Sequence, residues 1–332
     1  MTRLFHTGFE LGGGEYWDVI APTVVSTTVR NGTYACNLGN SQPNPTHSIP
    51  NTAEAYLRWA YHGEAVRTTS NFLMKLLDIT TIQVQLWNAN GTLQVRANDS
   101  SVLASSAANV LDNNVYHLIE VHAIIASAGT FDVKVDGTTV ITASVDTGTG
   151  TTNDYFNRVA FGPGGSDGTA RMDDYAINNT SGPPNNSWIG DGRVIALIPN
   201  AVGDASDTTE LTGVGQTALS VLYQNIDELP ANTSDYNYGT TAGHYTIWNL
   251  TDTTNVASVN ATMLWVRAFM NDAGPANFKF VTKTNSTKYV SANVALTQSW
   301  AYYSELRETN PNTAAAWTAA NLDALQVGFE VQ

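Results

Sequence analysis

The sequence predicts an all-β protein built as two antiparallel β-sandwich (jelly-roll) domains in series. Three observations carry this. Charged residues make up only 13% of the chain, about half the usual share, and their place is taken by Thr, Asn, Ser and Gly, which suit turns and the wet faces of sheets. Runs of alternating apolar and polar residues recur with Asn-Gly or Asp-Gly between them, the pattern of β-hairpins. No helical period extends far enough to rival them. A length of 332 residues exceeds the roughly 250 to 300 at which one hydrophobic core stops growing, so two domains are expected.

The elements follow in order. AEAYLRWAYH (53–62) fits a short helix by composition, but its aromatic content fits a strand equally well and a strand is expected. In TIQVQLWNANGTLQVRA, from Thr81, residues Ile82, Val84 and Leu86 alternate with polar residues, Asn90-Gly91 turns the chain, and Leu93 and Val95 alternate on the way back. VYHLIEVHAII (115–125) places Ile119, Val121 and Ala123 on one face and Tyr116, Leu118, Glu120 and His122 on the other. FDVKVDGTTVI (131–141) is a second hairpin: Phe131, Val133 and Val135 face a core, and Asp136-Gly137 supplies the positive-φ positions of a two-residue turn.

The stretch SGPPNNS (181–187) cannot lie in a central strand because Pro183 and Pro184 lack the backbone donors a sheet needs. It is therefore expected to link a domain of residues 1–180 to one of residues 188–332. Beyond it, strands are expected near 192, 244, 261 and 277 and at the end, where Leu325, Val327, Phe329 and Val331 face inward. ATMLWVRAFM, from Ala261, is apolar on both faces apart from Arg267 and predicts a strand covered on both sides. Residues 314–325 are the best helical candidate.

Composition also excludes functions. A formal net charge of −14, spread evenly along the chain, argues against nucleic acid and anionic membranes as partners. No stretch approaches the ~18 apolar residues of a membrane span, and MTRLFHTGFELGGG lacks the core of a signal peptide, so cytosolic synthesis of a soluble chain is expected. The single cysteine, Cys36, forms no intrachain disulfide and reads as buried filler.

Candidates for chemistry are sparse. GGSDG (164–168) matches the text of a nucleophile elbow at Ser166, but it leads from strand to strand with no helix to follow. Asp173 and Asp174 are adjacent, hence expected on opposite faces of a strand; Asp132 and Asp136 share a face with Lys134 between them as a solvated ladder. His117 and His122 fall on opposite faces, which disfavours zinc. Asp146, Asn153 and Asp154 lie in a Thr/Gly-rich loop whose spacing is not that of a calcium loop. Asn31, Asn90, Asn179 and Asn260 begin N-x-S/T triplets, expected to carry no glycan. Tyr236 and Tyr238, in a polar loop, are the candidates for stacking on a sugar, though anchoring the loop is the simpler role.

The order VYHLIEVHAII, FDVKVDGTTVI and RMDDYAI (171–177) resembles the back half of concanavalin A-like and laminin G-like jelly rolls, and FHTGFELGG looks like their first strand. WIGDGRVIALIPN, YQNIDELPANTSDYNYG, VRAFMNDAG and AAAWTAANLDALQVGFEV look like the domain that follows a lectin-like module in structural proteins of tailed bacteriophages. The resemblance implies a virion surface component, a fibre or decoration module, bound to other virion proteins, repeated as a homo-oligomer (a trimer by expectation) and attaching to host-surface carbohydrate. With no E-x-D-x-E run and no cofactor motif, the expectation is a chain without catalytic activity, cofactor or metal. The alternatives are a glycan-degrading enzyme of the lectin-like fold and a free carbohydrate-binding protein.

Overall fold

The computed structural model describes residues 3–39, 41–164, 170–182, 184–204, 211–271 and 277–332. It is antiparallel β almost throughout, and the chain divides into two compact units, Met1–Ile195 and Ala196–Gln332. The first unit thus extends past the expected linker, because residues 188–194 pack on it.

The first unit is a two-sheet sandwich. One sheet runs in the order Thr138–Val145, Gly129–Val135, Tyr116–Ile124, Glu54–His62, Arg171–Asn179, Ala35–Asn37 and Thr23–Val25, with Arg3–Thr7 also paired to Arg171–Asn179. The other runs Thr46–Thr52, Phe156–Phe161, Ser70–Asp78, Thr81–Ala89, Thr92–Ala97 and Val102–Ser105. The alternation of the strands builds the core between them. Leu57, Trp59, Ile119, Val121, Phe131 and Val133 come from the first sheet, Leu76, Val84, Leu86, Val95, Val159 and Phe161 from the second, and all are fully buried. Trp59 and Phe161 meet edge to face with ring centroids 5.4 Å apart. Both expected hairpins form, and their turns hold Asn90 at φ 53°, Gly91 at 83°, Asp136 at 50° and Gly137 at 78°, the conformation a two-residue primed turn requires.

The second unit has one larger sheet, in the order Pro199–Val202, Tyr245–Leu250, Gln326–Val331, Asn277–Thr284 and Thr287–Val290, with Val294–Ala295 on its side. Two ribbons accompany it, Thr212–Val214 with Tyr236–Tyr238 and Thr262–Ala268 with Ala301–Arg307. Two expectations are corrected here. Thr262–Ala268 is not covered on both sides: it pairs only with Ala301–Arg307 among the described residues, and all seven of its residues are half-buried. The strand covered on both faces is Gln326–Val331, which lies between two others and buries Gln326 and Glu330 as well as Val331, with Val327 packed on Trp317, Leu322 and Leu325. The predicted helix shortens to Ala319–Asp323, because Thr318 caps it by accepting the Asn321 N–H.

Candidate functional site

Residues alternate across a strand, so whatever Leu57, Trp59 and Ile119 do toward the core, their neighbours do on the opposite face. On Glu54–His62 those neighbours are Glu54, Tyr56, Arg58 and His62. Strand register sets them opposite Ile124, His122, Glu120 and Tyr116. The next strand adds Asp132 opposite His122 and Lys134 opposite Glu120. On the other side come Arg171 and Asn178, opposite His62 and Tyr56. The outer face of the larger sheet is therefore polar, charged and aromatic.

One end of this face is open. Tyr56 stacks on His122 with ring planes 9° apart and centroids at 4.3 Å, and Trp188 stands edge-on to Tyr56 at 5.4 Å. His122 lies between two carboxylates, with Nε2 2.9 Å from Glu54 and Nδ1 3.4 Å from Asp132. The Lys134 ammonium sits 3.9 Å from the Trp188 ring. Glu54 is 33% exposed and Asp132 20%, so both reach water. Partial burial, then the charges of Glu54 and Asp132, raise the Tyr56 hydroxyl above its ordinary range.

The middle of the face is closed by the chain itself. The amides of Ile189 and Gly190 donate to one oxygen of Glu120 at 3.1 and 2.8 Å. Arg58 donates to the Gly190 carbonyl at 3.3 Å. The Val194 amide donates to Asp174, and Arg30 reaches Asp174, Asp191 and the Gly192 carbonyl. Arg58 and Glu120 are each 3% exposed. Burial lowers the Arg58 pKa from its usual value.

Asp173 and Asp174 do not point to opposite faces. A β-bulge with Asp174 at φ 51° turns both carboxylates to the same side, where Asp173 accepts the Arg30 and Asn31 amides and Asp174 the Arg30 guanidinium. Burial, with Asp174 as a second cause, pushes Asp173 up to about 7.

The other sequence candidates separate. Asp132 and Asp136 share no site: Asp132 meets His122, whereas Asp136, in the turn, binds His117 Nδ1 at 2.7 Å and the Leu118 amide. His117 and His122 lie on opposite faces, as expected from their spacing. In the Thr/Gly-rich loop, Asp146 accepts the Gly148 amide and Asn153 donates to Asp78, so its polar groups serve the loop. Cys36 is fully buried and burial raises its pKa. Ser166 and Pro183 lie outside the described residues. Tyr236 packs on Phe269 and Trp300, an anchor, while Tyr238 is 44% exposed. Sequence reading missed Glu54, Tyr56, Arg58, Glu120, Arg30 and Trp188 as a group. The alternation in AEAYLRWAYH was the available signal, since it puts Glu54, Tyr56 and Arg58 on one face.

No family model matches the chain, and no curated protein does. Among solved structures it is similar to an endo-β-1,4-glucuronan lyase from the fungus Trichoderma reesei (15% identity, TM-score 0.38, 54% of this chain and 96% of that one). It is also similar to the cellulose-induced protein Cip1 (14%, 0.43, 57% and 100%) and to the galectin LEC-6 of Caenorhabditis elegans (12%, 0.30, 43% and 96%). An alginate lyase and sialidases are further matches. None of these is a phage particle protein. The expectation of a catalytically inert chain is corrected here. Its geometric ground fails: Asp173 and Asp174 share a side, and Glu54 and Asp132, both reaching water, converge on His122.

Proposed function

We propose that the first unit binds carbohydrate at the open end of the polar face of its larger sheet. The observation that carries this is the cluster of Tyr56, His122 and Trp188, two aromatic side chains around an imidazole held by Glu54 and Asp132. Aromatic rings offer apolar surface to the C–H face of a sugar, and the carboxylates accept its hydroxyls. In the setting the sequence resemblance implies, a homo-oligomeric surface component of a tailed-phage particle, this face would meet host-surface glycan. Titration of the full chain against a glycan panel tests the reading: Tyr56→Ala and Trp188→Ala each weaken binding about tenfold or more. Full affinity in both variants removes this site from consideration. Mass spectrometry of purified particles, with copy number, tests the virion setting.

A second reading, glycan cleavage, is favoured by one feature. His122 is oriented at Nε2 by Glu54 at 2.9 Å and only loosely met at Nδ1 by Asp132 at 3.4 Å. A substrate hydroxyl that takes the place of Asp132 would find an imidazole backed by a carboxylate, as a general acid or base is. Release of oligosaccharide fragments from polysaccharide, lost in His122→Ala while glycan affinity remains, supports it.

A further inference from the structure

Arg58 is a buried charge with few hydrogen bonds in the first unit's polar face, although Asp174, Glu120 and Asp191 lie near enough to favour its charge. Its guanidinium carries five donors, yet among the described residues it makes one hydrogen bond, 3.3 Å to the Gly190 carbonyl, and its Nε has no partner. The group covering it is only backbone. Residues 189–192 run over the strands that carry Arg58 and Glu120, side by side in the sheet. They present two N–H donors to Glu120 and one C=O acceptor to Arg58. A buried guanidinium so poorly matched is costly, and a sheet face selected only to hold this segment would not need it.

The donor and acceptor pattern of the segment is that of a pair of neighbouring sugar hydroxyls. Each hydroxyl donates once and accepts twice, so a vicinal diol gives protons to Glu120 and takes them from Arg58, including the Nε that the segment leaves unmet. Carboxylate-bearing sugars fit less well, because Asp174, Glu120 and Asp191 already set acidic groups around Arg58.

Resting on the carbohydrate reading of the open patch, we propose that residues 189–192 are an internal stand-in for a neutral sugar, covering a second subsite formed by Arg58 and Glu120. A glycan chain seated at Tyr56 and Trp188 then extends onto it as the segment lifts. The lift is local. Trp188 stays under Lys134 and beside Tyr56, and Ser187 is held by Asn178. The outermost tie, Asp191 to Arg30, joins a carboxylate that is 76% exposed, and such pairs add little. Gly190, at φ 74°, and Gly192 lie within the moving segment and give it two residues without a Cβ.

The test uses the full chain with cellohexaose, mannohexaose and hexa-N-acetylchitohexaose as neutral probes and hexaglucuronate as the acidic one. Calorimetric titration is paired with hydrogen exchange at the Ile189 and Gly190 amides. At least one neutral probe is expected to bind and to speed exchange at those two amides, since they leave Glu120. Gly190→Pro, which cannot hold φ 74° or donate to Glu120, removes the competing segment and tightens that probe about tenfold. Arg58→Met weakens it about tenfold. Binding that leaves the amides unchanged in the wild-type chain, whatever the variants do, overturns the covered subsite and leaves the open patch standing. Binding of hexaglucuronate alone overturns the neutral-sugar assignment. If no probe binds either the wild type or Gly190→Pro, the carbohydrate reading falls and this inference with it.

Discussion

Asp173 and Asp174, neighbours in sequence, grip the same arginine: Asp173 accepts the backbone amide of Arg30 at 3.0 Å and Asp174 its guanidinium at 2.8 Å. Two carboxylates on one side of a strand, both fully buried, repel each other, and only Asp174 pairs with the guanidinium, Asp173 taking the uncharged backbone amide. Burial first, and the neighbouring charge of Asp174 second, make Asp173 hold its proton up to about 7 while it sits in a structural network.

The first prediction follows from that proton. Asp173 titrates at about 7 in the folded chain against an ordinary value of 3.8. Between those values the folded state holds a proton that the unfolded state has released, so its contribution to stability is full below about 4 and declines as pH rises through about 7. The slope is at most about 1.4 kcal/mol per pH unit. His6 works the other way. Burial and the nearby charges of Arg3 and Arg58 lower it from 6.5 to about 3, so its contribution is present above 6.5 and lost as pH falls toward 3. The two slopes oppose each other, and the difference between wild type and Asp173→Asn isolates the first. Urea unfolding from pH 4.5 to 8 is expected to show the Asp173→Asn variant gaining on the wild type up to about pH 7, with the difference level beyond it. A constant gap means that Asp173 does not titrate in this range.

How far the sequence spoke depends on the range of the contact. Asp136-Gly137 and Asn90-Gly91 announce their hairpins because the turn and its flanks are local, and the burial of Phe131, Val133 and Val135 follows from alternation alone. The site was illegible for the converse reason. Glu54, His122, Asp132 and Trp188 come from different strands and a connecting segment, and only the strand order brings them together. The bulge at Asp174 erased the one inference that alternation offered about the acidic pair, since a single residue of positive φ reverses which side a carboxylate faces.

A second prediction concerns the Thr/Gly-rich loop of residues 146–154. Gln83, fully buried, holds it by five hydrogen bonds: its amide donates to Thr151 Oγ1 and to the carbonyls of Asn153 and Tyr155, and its oxygen accepts from the amides of Gly150 and Thr151. Gln83→Leu keeps the bulk and orphans those partners. We expect a loss of about 2 to 4 kcal/mol in chemical unfolding, with proteolytic nicking appearing within residues 146–154.

A third separates the true core from the apolar ribbon. Trp59 has no exposed surface, whereas Trp265 is half-buried on Thr262–Ala268 and meets Tyr302 at 6.4 Å. Trp59→Ala should cost about 3 to 5 kcal/mol, the range for an emptied core site. Trp265→Ala should cost under about 2 kcal/mol in the transition of its own unit, because much of its surface is wet in the native state. Equal costs would return residues 261–270 to the status of a covered strand.

The last prediction sets where the first unit ends. A chain of residues 1–180 contains every strand of the sandwich but lacks residues 188–194. It would leave Glu120 without two amide donors, Asp174 without Val194, Arg58 without its one carbonyl, and Arg30 without Asp191 and Gly192. Water reaches those groups once the cover is gone and offsets part of the loss, so the fragment should fold. A fragment of residues 1–195 is expected to unfold in one cooperative step and to be more stable than residues 1–180 by about 2 to 4 kcal/mol. The gap should shrink in salt, because several of the lost ties involve charge. If the two fragments unfold at the same denaturant concentration, residues 188–194 contribute nothing net to the fold. That outcome would make the segment cheaper still to displace from Arg58 and Glu120.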